Sequence, residues 1–201
     1  MKLIVITSEK WLPKESITIN QLFESGLETL HLRKPSGSLN EIKKLLGSIN
    51  INCHSRIVLH DHFNLTELFN LKGIHLNKRN PEIYPKPNLT YSRSCHSLEE
   101  ITTSAGYDYV FLSPIFDSIS KAGYHKSFTT DQLKNAKTSG IINSLVMALG
   151  GVTLENIPIV KEYGFGGIAV LGDLWIDYEK DNNITHLLKR FNKLKTKCEE
   201  L

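Results

Sequence analysis

The chain has 201 residues, 40% of them hydrophobic, which is enough for one domain with a substantial buried core. Its 24 basic residues are interleaved with 21 acidic ones, and no basic block with aromatics marks a nucleic-acid surface. No apolar run nears the length of a membrane span, the N-terminal run Leu3-Ile4-Val5-Ile6 is too short for a signal peptide, and three scattered cysteines (Cys53, Cys95, Cys198) read as reduced thiols of a soluble, cytoplasmic protein.

Short β-branched runs alternate with segments of helical period. Leu3-Ile4-Val5-Ile6 is the first strand, followed by a helix through Ile19, Leu22 and Phe23 that closes at Gly26. Thr29 to Arg33 is the second strand, and Leu39, Ile42, Leu45, Leu46 and Ile49 form the apolar stripe of its helix. Arg56 to Asp61 is the third, followed by a helix bearing Leu65, Leu68 and Phe69. After the fourth, Gly73 to Leu76, the prolines at 81, 85 and 87 break helical continuity, so this unit is abbreviated.

Thr90 to Cys95 is the fifth strand, and Ser97 and Glu100 have the spacing of a capping box for the next helix. Tyr109 to Leu112 is the sixth; a long loop then leads to a second cap at Thr129 and Gln132. Leu145 to Leu149 and Gly167 to Leu171 are the seventh and eighth, and Ile184, Leu187, Leu188, Phe191 and Leu194 face the core from the last helix. Eight β/α units with one shortened predict a single-domain (β/α)₈ TIM barrel over residues 1–201, with an open doubly wound sheet as the alternative.

Polar residues cluster where these strands end: His31, Arg33 and Lys34; His60 and Asp61; His75 and Asn77; Ser94 and His96; Ser113. In a barrel all these ends meet on one face, where active sites are built. The glycines Gly150 and Gly151, with the stretch from Gly164 to Gly167 and on to Gly172 and Asp173, fit a phosphate site after strands seven and eight, although glycines equally serve turns. Arg33 is expected to face the ligand, and His75 to be a structural strand-end histidine. His31 suits either role, and His60 would bond a neighbouring loop. The loop from Ser120 to Lys126 is read as a lid.

Several stretches in order resemble the thiamin-phosphate synthase and TenI superfamily: His31-Leu32-Arg33-Lys34, Leu59-His60-Asp61, Gly73-Ile74-His75-Leu76 and Ser94 to Glu100. Leu112-Ser113-Pro114-Ile115-Phe116, Ala148 to Thr153 and Gly167-Ile168-Ala169-Val170 continue the series. The resemblance implies a phosphorylated thiazole as ligand and two chemistries. A synthase joins hydroxymethylpyrimidine diphosphate to thiazole phosphate and needs Mg²⁺ and cations for the departing pyrophosphate. A TenI-like thiazole tautomerase moves a proton on a carboxylated thiazole phosphate and needs no metal.

The synthase pattern Gln-x-Arg-x-Lys reads here as His31, Arg33 and a lysine displaced by one to Lys34, and alternation along a strand turns that lysine elsewhere. Of its metal carboxylates Asp61 is kept, while the second falls at Asn80. Ser118, Ser120 and Lys121 stand in the strand-six loop as phosphate donors. These losses favour the tautomerase, with His96 as acid/base, Arg33 and Lys34 assisting, and His31, Ser94, Ser118, Ser120, Lys121, Gly150, Gly151, Leu171 and Gly172 holding substrate; the synthase, with Mg²⁺ on Asp61 and Asn80, is the alternative. A silent binder of thiazole phosphate and a sugar-phosphate isomerase are rivals of other kinds, and a homodimer is compatible with the sequence.

Overall fold

The structure, a computed structural model, describes residues 1–82, 86–117 and 126–201. Eight parallel strands close into a barrel in sequence order, β1 (Lys2–Ile6), β2 (Thr29–Leu32), β3 (Ile57–Leu59), β4 (Gly73–Leu76), β5 (Thr90–Cys95), β6 (Tyr109–Leu112), β7 (Val146–Ala148) and β8 (Gly167–Val170), with β8 returning to β1 through the pair Ile4 and Ala169. The open-sheet alternative is thereby excluded.

The period of two along each strand sorts side chains between two cores. Val5, Leu30, Leu32, Ile57, Leu59, Val110, Leu112, Val146, Ile168 and Val170 join the larger cluster that includes the buried helical residues. Ile4, Ile6, Tyr109, Phe111, Met147 and Ala169 form a separate cluster.

The helices are α1 (Glu15–Glu24), α2 (Leu39–Gly47), α3 (Leu98–Thr102), α4 (Thr130–Thr138), α5 (Ile157–Glu162), α6 (Gly172–Trp175), α7 (Tyr178–Asp181) and α8 (Ile184–Glu199). Their ends follow local chemistry. Ser38 with Glu41 and Thr129 with Gln132 each make a full capping box on α2 and α4. Ser97 caps α3 by accepting from Glu100 N–H, but the Glu100 carboxylate accepts from the His96 backbone instead of closing the box. Gly26 takes φ +96° after α1, a conformation that glycine adopts freely.

The third unit corrects the sequence expectation. Where a helix through Leu65, Leu68 and Phe69 was expected, there is one 3₁₀ turn, Phe63–Glu67; Leu65 is buried but Leu68 is 63% exposed. The chain from Leu59 to Gly73 enters this turn through His62 in a left-handed conformation (φ +55°) and does not continue it as an α-helix. Unit four carries no helix among the described residues.

A short cover at the β8–β1 seam is tied down by side chains. Trp175 Nε1 donates to Ile6 O at 2.7 Å, and the Tyr178 hydroxyl meets Thr18 Oγ1 at 2.9 Å. Cys53, Cys95 and Cys198 are free and buried. No helix among the described residues is long and apolar enough to cross a membrane.

Candidate active site

A pocket of about 780 Å³ opens at the carboxyl ends of the strands, within the size range of small-molecule sites. Arg33, His60, Arg93, Ser94 and His96 line one side from β2, β3 and β5, with Asn77, Lys78 and Arg79 from the loop after β4. Across from them stand Phe111, Ser113, Leu149, Gly150, Gly151, Ala169, Leu171 and Gly172. Arg33, Ser94, His96, Gly150, Gly151, Leu171 and Gly172 are thus brought together where the sequence put them.

Three of the lining cations have protein partners. Arg33 Nη1 lies 2.6 Å from Glu9 Oε1, and Arg93 rests over the Tyr107 ring at 5.5 Å. Arg79 grips Asp61 with both forks, Nε to Oδ1 and Nη2 to Oδ2 at 3.1 Å each.

His96 is exposed at the rim, its Nδ1 3.2 Å from Ser113 O. A carbonyl only accepts, so Nδ1 is the donor of that hydrogen bond and Nε2 is the nitrogen left for a ligand.

Gly150 (φ +92°) and Gly151 (φ +63°) are both left-handed, and a Cβ on Gly150 would come within 2.8 Å of Pro114. Only glycine lets this turn lie against the loop after β6. Gly164, Gly166 and Gly167 belong elsewhere. They precede or begin β8, at the opposite end of the barrel from Gly172, and Gly166 and Gly167 closely approach Ser144 O and Lys2 O. Their role is packing.

Four residues expected at the site stand apart from the pocket lining. Lys34 is buried, its ammonium 2.6 Å from Glu15 Oε1 and donating to Ser8 O (2.8 Å) and Lys10 O (2.5 Å). One step past Arg33, it points into the layer between β2 and α1, and burial pulls its pKa down against the pull of Glu15. His31 lies fully buried behind His60.

Asp61 and Asn80 do not fit a metal ion. Asn80 Nδ2 donates to both His60 O (3.0 Å) and Asp61 Oδ1 (2.9 Å), which fixes the amide with its nitrogen toward the carboxylate, and Arg79 takes up both oxygens. A guanidinium, not a cation site, faces Asp61. Ser118, Ser120 and Lys121, with most of the expected lid, lie outside the described residues.

Sequence reasoning passed over Lys78, Arg79 and Arg93. Lys78 and Arg79 follow the end of β4 directly, and Arg93 sits on β5 between two serines, so strand-end position was the available signal. It also passed over Tyr109, whose hydroxyl lies 2.6 Å from His31 Nε2.

The family model described as thiamine monophosphate synthase, TMP-TENI, matches residues 3–174. The chain belongs to this family. It is accordingly an enzyme of thiamin biosynthesis. A solved thiamine phosphate pyrophosphorylase from Bacteroides thetaiotaomicron is 44% identical, covering 99% of this chain and 98% of that one with a TM-score of 0.89. The thiamine-phosphate synthase of Levilactobacillus brevis is 24% identical over 86% of each chain. A thiamine phosphate pyrophosphorylase from Pyrococcus furiosus, 22% identical over 99% of this chain and 96% of that one with a TM-score of 0.77, shares the fold.

Proposed function

We infer that this family member is a thiamin-phosphate synthase, joining hydroxymethylpyrimidine diphosphate to thiazole phosphate. The observation that carries the reading is the two-sided pocket. Arg33, Lys78, Arg79 and Arg93 make a cationic wall on the β2–β5 side, facing a glycine-lined wall from β7 and β8. A site for one small phosphate needs only one of these, whereas two phosphorylated substrates need both.

The diphosphate would lie on the arginine wall and the thiazole phosphate against the backbone of Gly150, Gly151 and Gly172. The pyrimidine methylene C–O bond breaks, pyrophosphate leaves with the electron pair, and the thiazole nitrogen forms the new C–N bond. Arginines meet the developing charge on the leaving group; Arg79 releases Asp61, and Arg33 releases Glu9, as the diphosphate enters. The near full-length similarity to proteins named as synthases and pyrophosphorylases supports the same reading.

The tautomerase is a second reading, favoured by one observation: Lys34 and Asp61 are engaged by Glu15 and Arg79, while the His96 ring lines the pocket with its Nδ1 at Ser113. The deciding experiment supplies both synthase substrates to the purified protein, with Mg²⁺ and with chelator, and measures thiamin phosphate and pyrophosphate. Equimolar thiamin phosphate and pyrophosphate is expected with Mg²⁺. A protein that binds thiazole phosphate and aromatises the carboxylated tautomer, yet forms no thiamin phosphate, overturns the synthase.

A further inference from the structure

Arg33 and Arg79 meet the pocket at its rim, with side chains 24% and 40% exposed. Its floor is different. Ile6, Phe111 and Ala169 belong both to the inner core cluster and to the pocket lining, so the deep end of the cavity is apolar. His60 shares that depth, at 4% exposure, and brings a polar ring to it. With phosphates on the cations, the ring of a ligand is what the floor is left to hold.

His60 is held from two directions. Its backbone carbonyl accepts from Asn77 Nδ2 at 2.8 Å and from Asn80 Nδ2 at 3.0 Å, which pins the chain just past β3. Its Nε2 lies 2.9 Å from His31 Nδ1, and His31 Nε2 lies 2.6 Å from the Tyr109 hydroxyl. His31 is fully enclosed, and such a group is costly to bury unless it is hydrogen-bonded. This short line satisfies both of its nitrogens.

The direction of the line follows from its inner end. Burial pushes the Tyr109 phenol pKa up, so the hydroxyl keeps its proton. Among the described residues no other hydrogen bond reaches that hydroxyl, so its proton points at His31 Nε2, which accepts. Burial also keeps His31 neutral, and with Nε2 accepting, its one proton is on Nδ1. That N–H donates to His60 Nε2, and a neutral His60 then carries its own proton on Nδ1. Nδ1 has no protein partner and is not among the enclosed side-chain atoms left unpaired, so it opens to the pocket.

We propose that Tyr109 and His31 are positioning residues that make His60 a fixed hydrogen-bond donor, and that its Nδ1–H takes a neutral acceptor atom, a ring nitrogen or a carbonyl oxygen, of the ligand's heterocycle. The proton is offered and not surrendered. If His60 released it, the deficit would pass through His31 to Tyr109 and leave a phenolate enclosed in the barrel, which burial opposes. The synthase reading is needed only to name the heterocycle, the pyrimidine.

A metal ion on His31, His60 and His75 is the competing account, because ligand atoms of the three lie within 4.8 Å of one another. A bound ion sits about 2.0–2.1 Å from nitrogen along its lone pair, in the plane of the ring. His60 and His75 are stacked at 4.3 Å with 23° between their planes, so no point so close to both nitrogens lies in both planes.

The test reads tautomers and binding. Long-range ¹H–¹⁵N correlation on ¹⁵N-histidine protein should show His31 and His60 both protonated on Nδ1, and Tyr109→Phe should move part of the His60 proton to Nε2. Calorimetry then compares hydroxymethylpyrimidine diphosphate with inorganic pyrophosphate, of which the parent should hold the first more tightly. His60→Phe keeps a ring, removes the donor, and should weaken the pyrimidine diphosphate about tenfold while inorganic pyrophosphate stays within about twofold. Tyr109 lies outside the pocket lining, so Tyr109→Phe removes only an interior hydroxyl and should show the same selectivity at about threefold. A His60 proton on Nε2 in the parent, a parent that binds both ligands alike, equal weakening of both, unchanged binding in His60→Phe, or one equivalent of tightly held zinc by elemental analysis would each overturn the proposal. Absence of thiamin phosphate in the assay above, with these tautomers and this selectivity intact, would remove the synthase and leave His60 as the donor.

Discussion

Replacing Lys34 with methionine separates a structural lysine from a catalytic one. The change leaves the Glu15 carboxylate buried without its cation and strips a donor from Ser8 O and Lys10 O, where both side chains of the pair are almost fully enclosed, at 0% and 4% exposure. Breaking a buried pair from one side costs about 3–5 kcal/mol. For a chain of this size each kcal/mol moves the melting temperature by about 2–4 °C, so thermal unfolding should shift down by roughly 6–20 °C. The shift produced by saturating thiazole phosphate should survive, because Lys34 does not line the pocket. A Glu15→Leu, Lys34→Met double variant should recover part of the loss, since the two carbonyls remain without their donor. A Lys34→Met protein that melts within about 2 °C of the parent and no longer binds phosphate would place the ammonium in the site and refute the reasoning.

The buried histidines make the fold acid-sensitive. Burial lowers the pKa of His31, His60 and His75 below the ordinary imidazole value of 6.5, to about 3 for His75. The unfolded chain therefore binds more protons below pH 6.5, and stability present above that value is lost as pH falls, by up to about 1.4 kcal/mol per pH unit for each histidine. Urea midpoints at pH 7, 6 and 5 check this, and a flat profile would contradict it. Gly151→Ala forces a side chain toward Asp117 O at φ +63° and should cost about 1–3 kcal/mol while weakening thiazole phosphate binding, measured by melting and calorimetry. His96→Ala should leave the melting temperature unchanged because the ring is exposed. It should slow a tautomerase about 10²–10⁴-fold and a synthase far less, in paired assays of the two reactions.

How much of this was legible follows from how far each inference depended on tertiary packing. The strands were readable because each β-branched run is short and bounded, and β4, β5 and β6 have the limits expected from sequence. The ends of β2, β3, β7 and β8 were overextended by residues such as Arg33, His60, Asp61, Leu149 and Leu171, which carry extended character into the loops that build the pocket. Alternation along a strand set Lys34 apart from the synthase lysine, yet it was still placed among the catalytic residues, because its partner, Glu15, lies on another element and leaves no local trace. Unit three failed because the spacing of Leu65, Leu68 and Phe69 mimics a helical stripe, while only Leu65 is buried and Leu68 faces solvent. Arg79 was missed because its role depends on Asp61, from a different strand end. His31 was assigned to the site face; only the closed barrel reveals that it stands one layer deeper, behind His60.

The thin cover over β3 and β4 has a consequence for variation in this protein. Between β3 and β4 a single 3₁₀ turn does the work of a helix, and among the described residues no helix joins β4 to β5. Chain added or exchanged there alters few buried contacts, yet the same loops carry Lys78 and Arg79 to the pocket rim. This flank is where a new substrate preference can be grafted at little cost in stability, whereas the α8 side, anchored by Leu187, Phe191 and Leu194, resists the same change.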